Sequence, residues 1–136
     1  MELTHVTAIH MTTALLATVI GPVALWARKG RVQRPRLHRA FGYAWVTLML
    51  VTAISAIFIR DFGLPNIAGY TPIHLLVPST LFGLFGAFWF LAKGNIAAHR
   101  KTMTQVYVGA CLVAGGFTLL PGRYLGNLVW GWLGLL

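Results

Sequence analysis

Four long apolar runs, separated by short polar stretches, dominate the sequence. They predict membrane-spanning helices at about residues 9–27, 39–60, 72–92 and 100–120. An α-helix rises about 1.5 Å per residue, so about 20 residues cover the roughly 30 Å hydrocarbon core of a bilayer. The apolar stretch 124–136 is too short to span. Its two tryptophans favour a membrane interface, so it predicts a short interfacial helix.

A histidine motif stands at the beginning of every long run. An Ile-His pair, ending at His10 and at His74, opens the first and third runs. A His-Arg pair, beginning at His38 and at His99, precedes the second and fourth runs. The sequence therefore indicates two copies of one helical hairpin. The predicted fold is an all-α integral membrane protein. It is a four-helix up-down bundle built from two repeated helical hairpins, with a short C-terminal interfacial helix, and residues 1–136 form a single transmembrane domain.

The composition supports the membrane assignment. The chain is 57% hydrophobic and only 10% charged, whereas a typical soluble domain has about 25% charged residues. The net charge of +9 is not a sign of nucleic-acid binding, because such binding needs a basic face on a soluble body. Here the basic residues lie between apolar runs. We therefore expect contact with membrane lipids and no nucleic-acid partner.

The basic residues also predict how the chain is oriented. Nine of the eleven Lys and Arg residues lie in the loops that join runs one to two and three to four. The positive-inside rule places these loops in the cytoplasm and both termini outside it. The nine residues are Arg28, Lys29, Arg31, Arg34, Arg36, Arg39, Lys93, Arg100 and Lys101.

This topology pairs the histidines by depth. His10 and His74 lie near the outer face, and His38 and His99 lie near the inner face. In an up-down bundle the first and third helices are diagonal, as are the second and fourth, with axes about 11–14 Å apart. Two inward imidazoles at one depth can then hold a flat metal macrocycle between them, and imidazole is a good ligand of haem iron. The pattern predicts metal ligation by these pairs, with one or two haem b groups.

Residues near the histidines suit such a site. Arg39 and Arg100 each follow an inner histidine and are candidates to bind haem propionates, as arginine binds carboxylates generally. Tyr107, two turns after the last histidine of the repeat, is a further candidate cofactor contact. Gly42 and Ala14 lie one turn after a histidine and leave room for a ring. The alternative interpretation is that the arginines bind lipid phosphate and the histidines are hydrated among the headgroups.

Other chemistries lack the residues they need. The only two acidic residues, Glu2 and Asp61, lie outside the apolar runs, so a carboxylate proton relay within the membrane is excluded. Cys111 is the only cysteine, which rules out an internal disulfide and leaves it as a small buried filler. No phosphate-binding glycine loop and no catalytic triad are present.

The ordered motifs resemble a known family. They are Ile-His, Gly-Pro, Leu-His-Arg-Ala-Phe-Gly-Tyr-Ala-Trp-Val, Ile-His and His-Arg-Lys-Thr-Met, over residues 8–121. The pattern resembles small bacterial four-span membrane proteins of unknown function, which implies a helical domain in the bacterial inner (plasma) membrane. The layout is also similar to two-haem transmembrane b-type cytochromes. That likeness implies His10 with His74, and His38 with His99, as ligand pairs.

Three functions remain open from the sequence. The preferred hypothesis is a haem-binding membrane protein with a redox role, a possible haem-dependent oxidoreductase that exchanges electrons with a quinol or another carrier. A second hypothesis is a membrane oxygenase that degrades haem as its substrate. The third is a protein without cofactor that binds, senses or scaffolds, with homo-oligomerisation left open.

Overall fold

The computed structural model describes residues 4–31, 33–60 and 66–135. Within these ranges the chain is helical and contains no β-strand, so the predicted all-α class is confirmed. The helices are α1 (His5–Trp26), α2 (Pro35–Ile57), α3 (Leu76–Ala92), α4 (Ile96–Val106), α5 (Ala114–Thr118) and α6 (Tyr124–Trp132). A 3₁₀ turn, Pro72–Leu75, leads into α3, and a π-helical segment, Tyr107–Val113, joins α4 to α5.

Local capping residues explain where the helices begin. The hydroxyl of Thr4 accepts a hydrogen bond from the backbone N–H of Thr7 at 3.1 Å and caps α1. The side chain of Asn95 caps α4 in the same way. Proline occupies the first turn of α2 at Pro35 and of the 3₁₀ turn at Pro72, where its missing N–H removes no helical hydrogen bond. Polar and proline residues between the apolar runs thus set the helix starts.

Three of the helical segments described are long and apolar enough to cross a membrane. They are His5–Trp26, Pro35–Ile57 and Pro72–Ala92. Large apolar side chains cover their outer surfaces; Val19 is 70% exposed and Phe82 is 76% exposed. Such exposure is unfavourable in water but natural against lipid. The chain is therefore a membrane protein with transmembrane helices.

The helices pack in sequence order. α1 lies along α2, and α3 lies along α4. Contacts of α2 with α3, and of α1 with the π segment, join the two hairpins. Because α4, the π segment and α5 follow each other directly, residues 96–118 form one continuous helical run. Three of the runs begin four residues before the predicted apolar spans, at His5, Pro35 and Ile96, because their first turns include loop residues, and the third begins at Pro72.

A small core joins all four helical runs. Its buried members come from α1, α2, α3 and the run 96–118, and they are Ala17, Trp45, Met49, Leu84, Val106, Tyr107 and Cys111. The rings of Trp45 and Tyr107 meet with centroids 6.4 Å apart. The thiol of Cys111 lies 3.7 Å from the sulfur of Met49. Cys111 is therefore the buried filler that its position predicted. This core separates two cavities.

Candidate cofactor-binding site

Each predicted histidine pair lines one cavity. His38 and His99 line a cavity of about 640 Å³, here called the His38–His99 cavity. His10 and His74 line a smaller one of about 220 Å³, here called the His10–His74 cavity. Ligand pockets generally measure about 300–1,000 Å³, so only the His38–His99 cavity has the volume of a site for a large cofactor.

One ring nitrogen of His38 and of His99 is fixed by the neighbouring helix. Nδ1 of His38 donates to the backbone carbonyl of Ala24 at 2.7 Å. Nδ1 of His99 donates to the carbonyl of Ala87 at 2.8 Å. A carbonyl only accepts, so Nδ1 carries the proton in both rings, and Nε2 keeps its lone pair. Neither Nε2 has a hydrogen-bond partner among the residues described.

This arrangement is the one that metal-binding histidines usually have. A ligating imidazole typically donates its second N–H to a carbonyl or carboxylate, which fixes the tautomer and the orientation of the ring. The acceptors here lie in the helix that precedes each histidine, Ala24 in α1 and Ala87 in α3. The two hairpins thus repeat one hydrogen bond, and it prepares both rings as ligands.

The rest of the His38–His99 cavity suits a flat, partly anionic group. Gly42 lines it, and no atom lies within 4 Å of the position that a Cβ at Gly42 would take. Arg39 and Arg100 also line it, together with Arg28. Arg100 donates to the carbonyl of Arg28 at 3.1 Å. Since both acidic residues of the chain lie outside the described ranges, no described carboxylate neutralises these arginines.

Tyr107 lies in the same cavity, but its hydroxyl is already engaged. The hydroxyl donates to the carbonyl of Thr18 at 2.9 Å. Its ring contacts Trp45, which also lines the cavity. Tyr107 therefore offers an aromatic surface and no free hydrogen-bond donor. The sequence analysis did not single out Trp45 as a site residue, although it lies within the His-Arg motif stretch that begins at His38.

The geometry is less favourable for metal ligation by the other pair. Nδ1 of His10 donates to the carbonyl of Thr52 at 2.8 Å and leaves its Nε2 available. His74 differs, because its Nε2 donates to the carbonyl of Ile59 at 2.7 Å while its Nδ1 accepts from the N–H of Thr71 at 3.1 Å. Both nitrogens of His74 are occupied, so it has no lone pair for iron in this arrangement. The predicted pairing of His10 with His74 around a second haem therefore has no support from the geometry.

No group of three or more His, Cys, Asp or Glu side chains that could hold a metal ion occurs among the described residues. A site made only of protein ligands, such as a structural zinc site, needs about four of them. A macrocycle that already coordinates its metal through four ring nitrogens needs only two axial ligands. The His38–His99 pair matches the second case.

The fold and its cavities define a small helical membrane protein with paired histidines lining internal space. The chain belongs to the family described as "Predicted membrane protein (DUF2306)", which it matches over residues 7–120. The predicted membership of a membrane protein family of unknown function is thus confirmed. No curated protein and no solved structure matches the chain.

Proposed function

We propose that this protein binds one haem b in the His38–His99 cavity and has a redox role in the membrane. One observation carries the proposal: two imidazoles from different hairpins line a cavity of about 640 Å³. Each has Nδ1 held by a backbone carbonyl and Nε2 free for iron. Haem supplies one-electron redox chemistry that the side chains of this chain lack.

The chain's own residues have distinct parts in this proposal. His38 and His99 would hold the haem iron through Nε2, and the carbonyls of Ala24 and Ala87 keep their rings in place. Gly42 leaves room for the ring edge. The arginines at 28, 39 and 100 pair with the propionates, because guanidinium groups form short charge-assisted hydrogen bonds with carboxylates.

Ligation by both histidines argues against the alternative of haem degradation. Ring cleavage needs an iron position at which oxygen can bind, and two axial imidazoles fill both positions. No feature of the described residues points specifically to the scaffold alternative, in which no cofactor binds. That alternative is an outcome of the experiment below.

The proposal includes a membrane arrangement. Residues 96–118 form the fourth span beside the three long apolar segments, so that the chain is a four-helix up-down bundle. The loops rich in Lys and Arg face the cytoplasm, both termini lie outside, and the haem lies near the cytoplasmic side of the bacterial inner membrane. The short α6 lies at the opposite interface, where Trp130 and Trp132 favour the headgroup region.

Spectroscopy of the purified chain tests the proposal. We expect protein in detergent, supplied with haemin, to show sharp low-spin absorption bands that shift on reduction. His38→Ala and His99→Ala should each abolish the low-spin spectrum, because each removes one axial ligand. His5→Ala is the matched control, since His5 is exposed and lines neither cavity, and it should bind haem like the unaltered chain.

Other spectra would contradict the proposal. A folded, monodisperse chain that takes up no haemin supports the scaffold alternative. A high-spin complex that bleaches with reductant and oxygen supports haem degradation. Loss of low-spin haem in His10→Ala but not in His38→Ala would show that haem binds in the His10–His74 cavity instead.

A further inference from the structure

The His10–His74 cavity is too small for haem but has the size of a single aromatic ring. It measures about 220 Å³, and an apolar protein cavity of about 150 Å³ is sufficient to bind benzene. Its walls are mainly apolar and include Met11, Ile73 and Val77. The polar side chains in this lining include His10 and Thr80, each with an atom to which no described residue bonds, and also Arg123 and Tyr124.

Thr80 is the exception among the buried hydroxyl residues described, because the side chains of Ser55 and Thr71 both form hydrogen bonds. Thr13, Thr18 and Thr52 each donate to a carbonyl four residues earlier in their own helix, at 2.7–2.9 Å. Ser79, next to Thr80 in α3, donates to Leu75 in the same way. Thr80 is only 6% exposed, yet its hydroxyl has no hydrogen-bond partner in the part of the chain that is described. Its oxygen therefore remains available to a ligand in the cavity that Thr80 lines.

His10, on α1, lines the same cavity and presents the complementary group. Its Nδ1 donates to the carbonyl of Thr52, so the proton is on Nδ1 and Nε2 is an acceptor. Among the described residues nothing donates to this Nε2. The cavity therefore combines apolar walls, an acceptor on α1 and a hydroxyl on α3.

We propose that the His10–His74 cavity binds the headgroup of a membrane-soluble hydroquinone. One ring hydroxyl donates to Nε2 of His10, and the oxygen on the opposite side of the ring accepts from the hydroxyl of Thr80. Both polar atoms gain the partner they lack, and the apolar walls contact the faces of the ring. A few convergent polar groups in an apolar pocket are the usual means of orienting such a ligand.

The position of the cavity favours a ligand that arrives from the bilayer. Leu15 lies in the middle of α1, lines the cavity and is 50% exposed on the lipid-facing surface. An isoprenoid or alkyl tail can follow this side chain out into the lipid. A phenol that arrives from water needs no such tail. Comparing hydroquinones with and without a tail therefore distinguishes a ligand from the bilayer from a ligand from water.

The cavity also has a place in the redox role proposed above, since it would hold a redox-active hydroquinone beside the haem, and this assignment depends on that role. Met49 and Cys111 of the core line the His10–His74 cavity, while Trp45 and Tyr107 of the same core line the His38–His99 cavity. One layer of side chains therefore separates the two proposed ligands. Binding of the hydroquinone itself does not depend on haem.

Binding of decylhydroquinone to the full chain in detergent, measured by equilibrium dialysis with and without haemin, tests the proposal. We expect saturable binding, with a Kd about tenfold higher in Thr80→Val and in His10→Phe, because each variant loses one buried hydrogen bond. Ser79→Ala is the matched control: its hydroxyl bonds within its own helix, and its Kd should not change. A tail-free hydroquinone should bind at least tenfold more weakly.

The outcomes separate this proposal from the haem proposal. If decylbenzene, which lacks the hydroxyls, binds as tightly as decylhydroquinone, binding depends only on apolar contacts and the proposal fails. It also fails if both variants keep the original Kd. If His38→Ala loses haem but still binds decylhydroquinone, both proposals stand. If the chain binds decylhydroquinone but never haem, the haem proposal and its redox role fail and the hydroquinone site stands.

Discussion

The four histidines of the repeat each donate to a backbone carbonyl outside their own helix. The acceptors are the carbonyls of Thr52, Ala24, Ile59 and Ala87, at 2.7–2.8 Å. In a membrane interior such bonds hold helices in register, because water is not there to compete. What distinguishes the histidines is the second nitrogen. It is occupied in His74, while in the other three no described residue bonds to it.

Gly21 is the residue whose lack of a side chain the core requires most clearly. A Cβ at this position would lie 2.5 Å from the ring of Tyr107 and 3.0 Å from Nε1 of Trp45. We expect Gly21→Val to destabilise the chain by about 1–3 kcal/mol through overpacking. Thermal unfolding in detergent should show a lower Tm.

Gly86→Val in α3 provides the comparison for Gly21→Val. A Cβ at Gly86 meets no atom within 4 Å, so this variant should unfold close to the temperature of the unaltered chain. Equal losses in the two variants would show that valine itself, and not the contact with Tyr107, causes the effect.

Among the helices, the run over residues 96–118 departs furthest from regular geometry. Its middle part, Tyr107–Val113, is π-helical, and π segments are often found at functional sites. Here the segment begins at Tyr107, whose ring lines the His38–His99 cavity, and it includes Cys111, which lines the other cavity. The irregular element therefore contributes to the walls of both cavities.

The short α6 is attached by one close contact and one side-chain hydrogen bond. Gly126 packs directly on the backbone of Leu120, and the indole of Trp130 donates to the carbonyl of Leu119 at 2.7 Å. Gly126→Ala should push α6 away from α5, since the contacting atoms are backbone and cannot move aside. Trypsin should then cleave after Arg123 about tenfold faster than in the unaltered chain.

Gly131→Ala is the control for α6, because it makes the same change in the same helix where a Cβ meets nothing within 4 Å. It should leave the cleavage rate unchanged. If Gly126→Ala is cleaved no faster than Gly131→Ala, the attachment of α6 does not depend on this contact.

For the molecule as a whole, the distribution of charge and the packing of helices act on different properties. The basic loops determine the proposed orientation, whereas the contacts between hairpins create the cavities. The His38–His99 cavity lies beside Arg28 in the basic loop and Arg39 near the start of α2. The orientation therefore determines which side of the membrane the proposed haem faces.

Cysteine labelling tests that orientation. In a Cys111→Ala background, we expect Lys29→Cys and Lys93→Cys to resist a membrane-impermeant maleimide in intact spheroplasts and to react once the membrane is opened. Arg60→Cys, in the opposite loop, should react in intact spheroplasts. Labelling of Lys29→Cys from outside would show that the chain has the opposite orientation, with the His38–His99 cavity near the outer face.

Much of the candidate site was predictable from spacing. The repeat of histidine motifs paired His38 with His99, and the structure places both on one cavity together with Arg39 and Arg100. Spacing along a helix fixes the depth of a residue and roughly the face on which it lies. It did not reveal that His74 has both nitrogens occupied, or that the hydroxyl of Tyr107 bonds to Thr18, because every residue offers a backbone carbonyl and no sequence signal marks the one within reach.

The sequence by itself determined the class of protein and the long helical segments, and it paired the histidines that line each cavity. These properties follow from local hydrophobicity and from the constant rise of a helix, which do not depend on the rest of the fold. Only the tertiary structure decided which ring nitrogens have a partner among the described residues, how large each cavity is and that no described residue bonds to the Thr80 hydroxyl. These features depend on how neighbouring helices are rotated and shifted against each other by a few ångströms, and that is set by the packing of all side chains together.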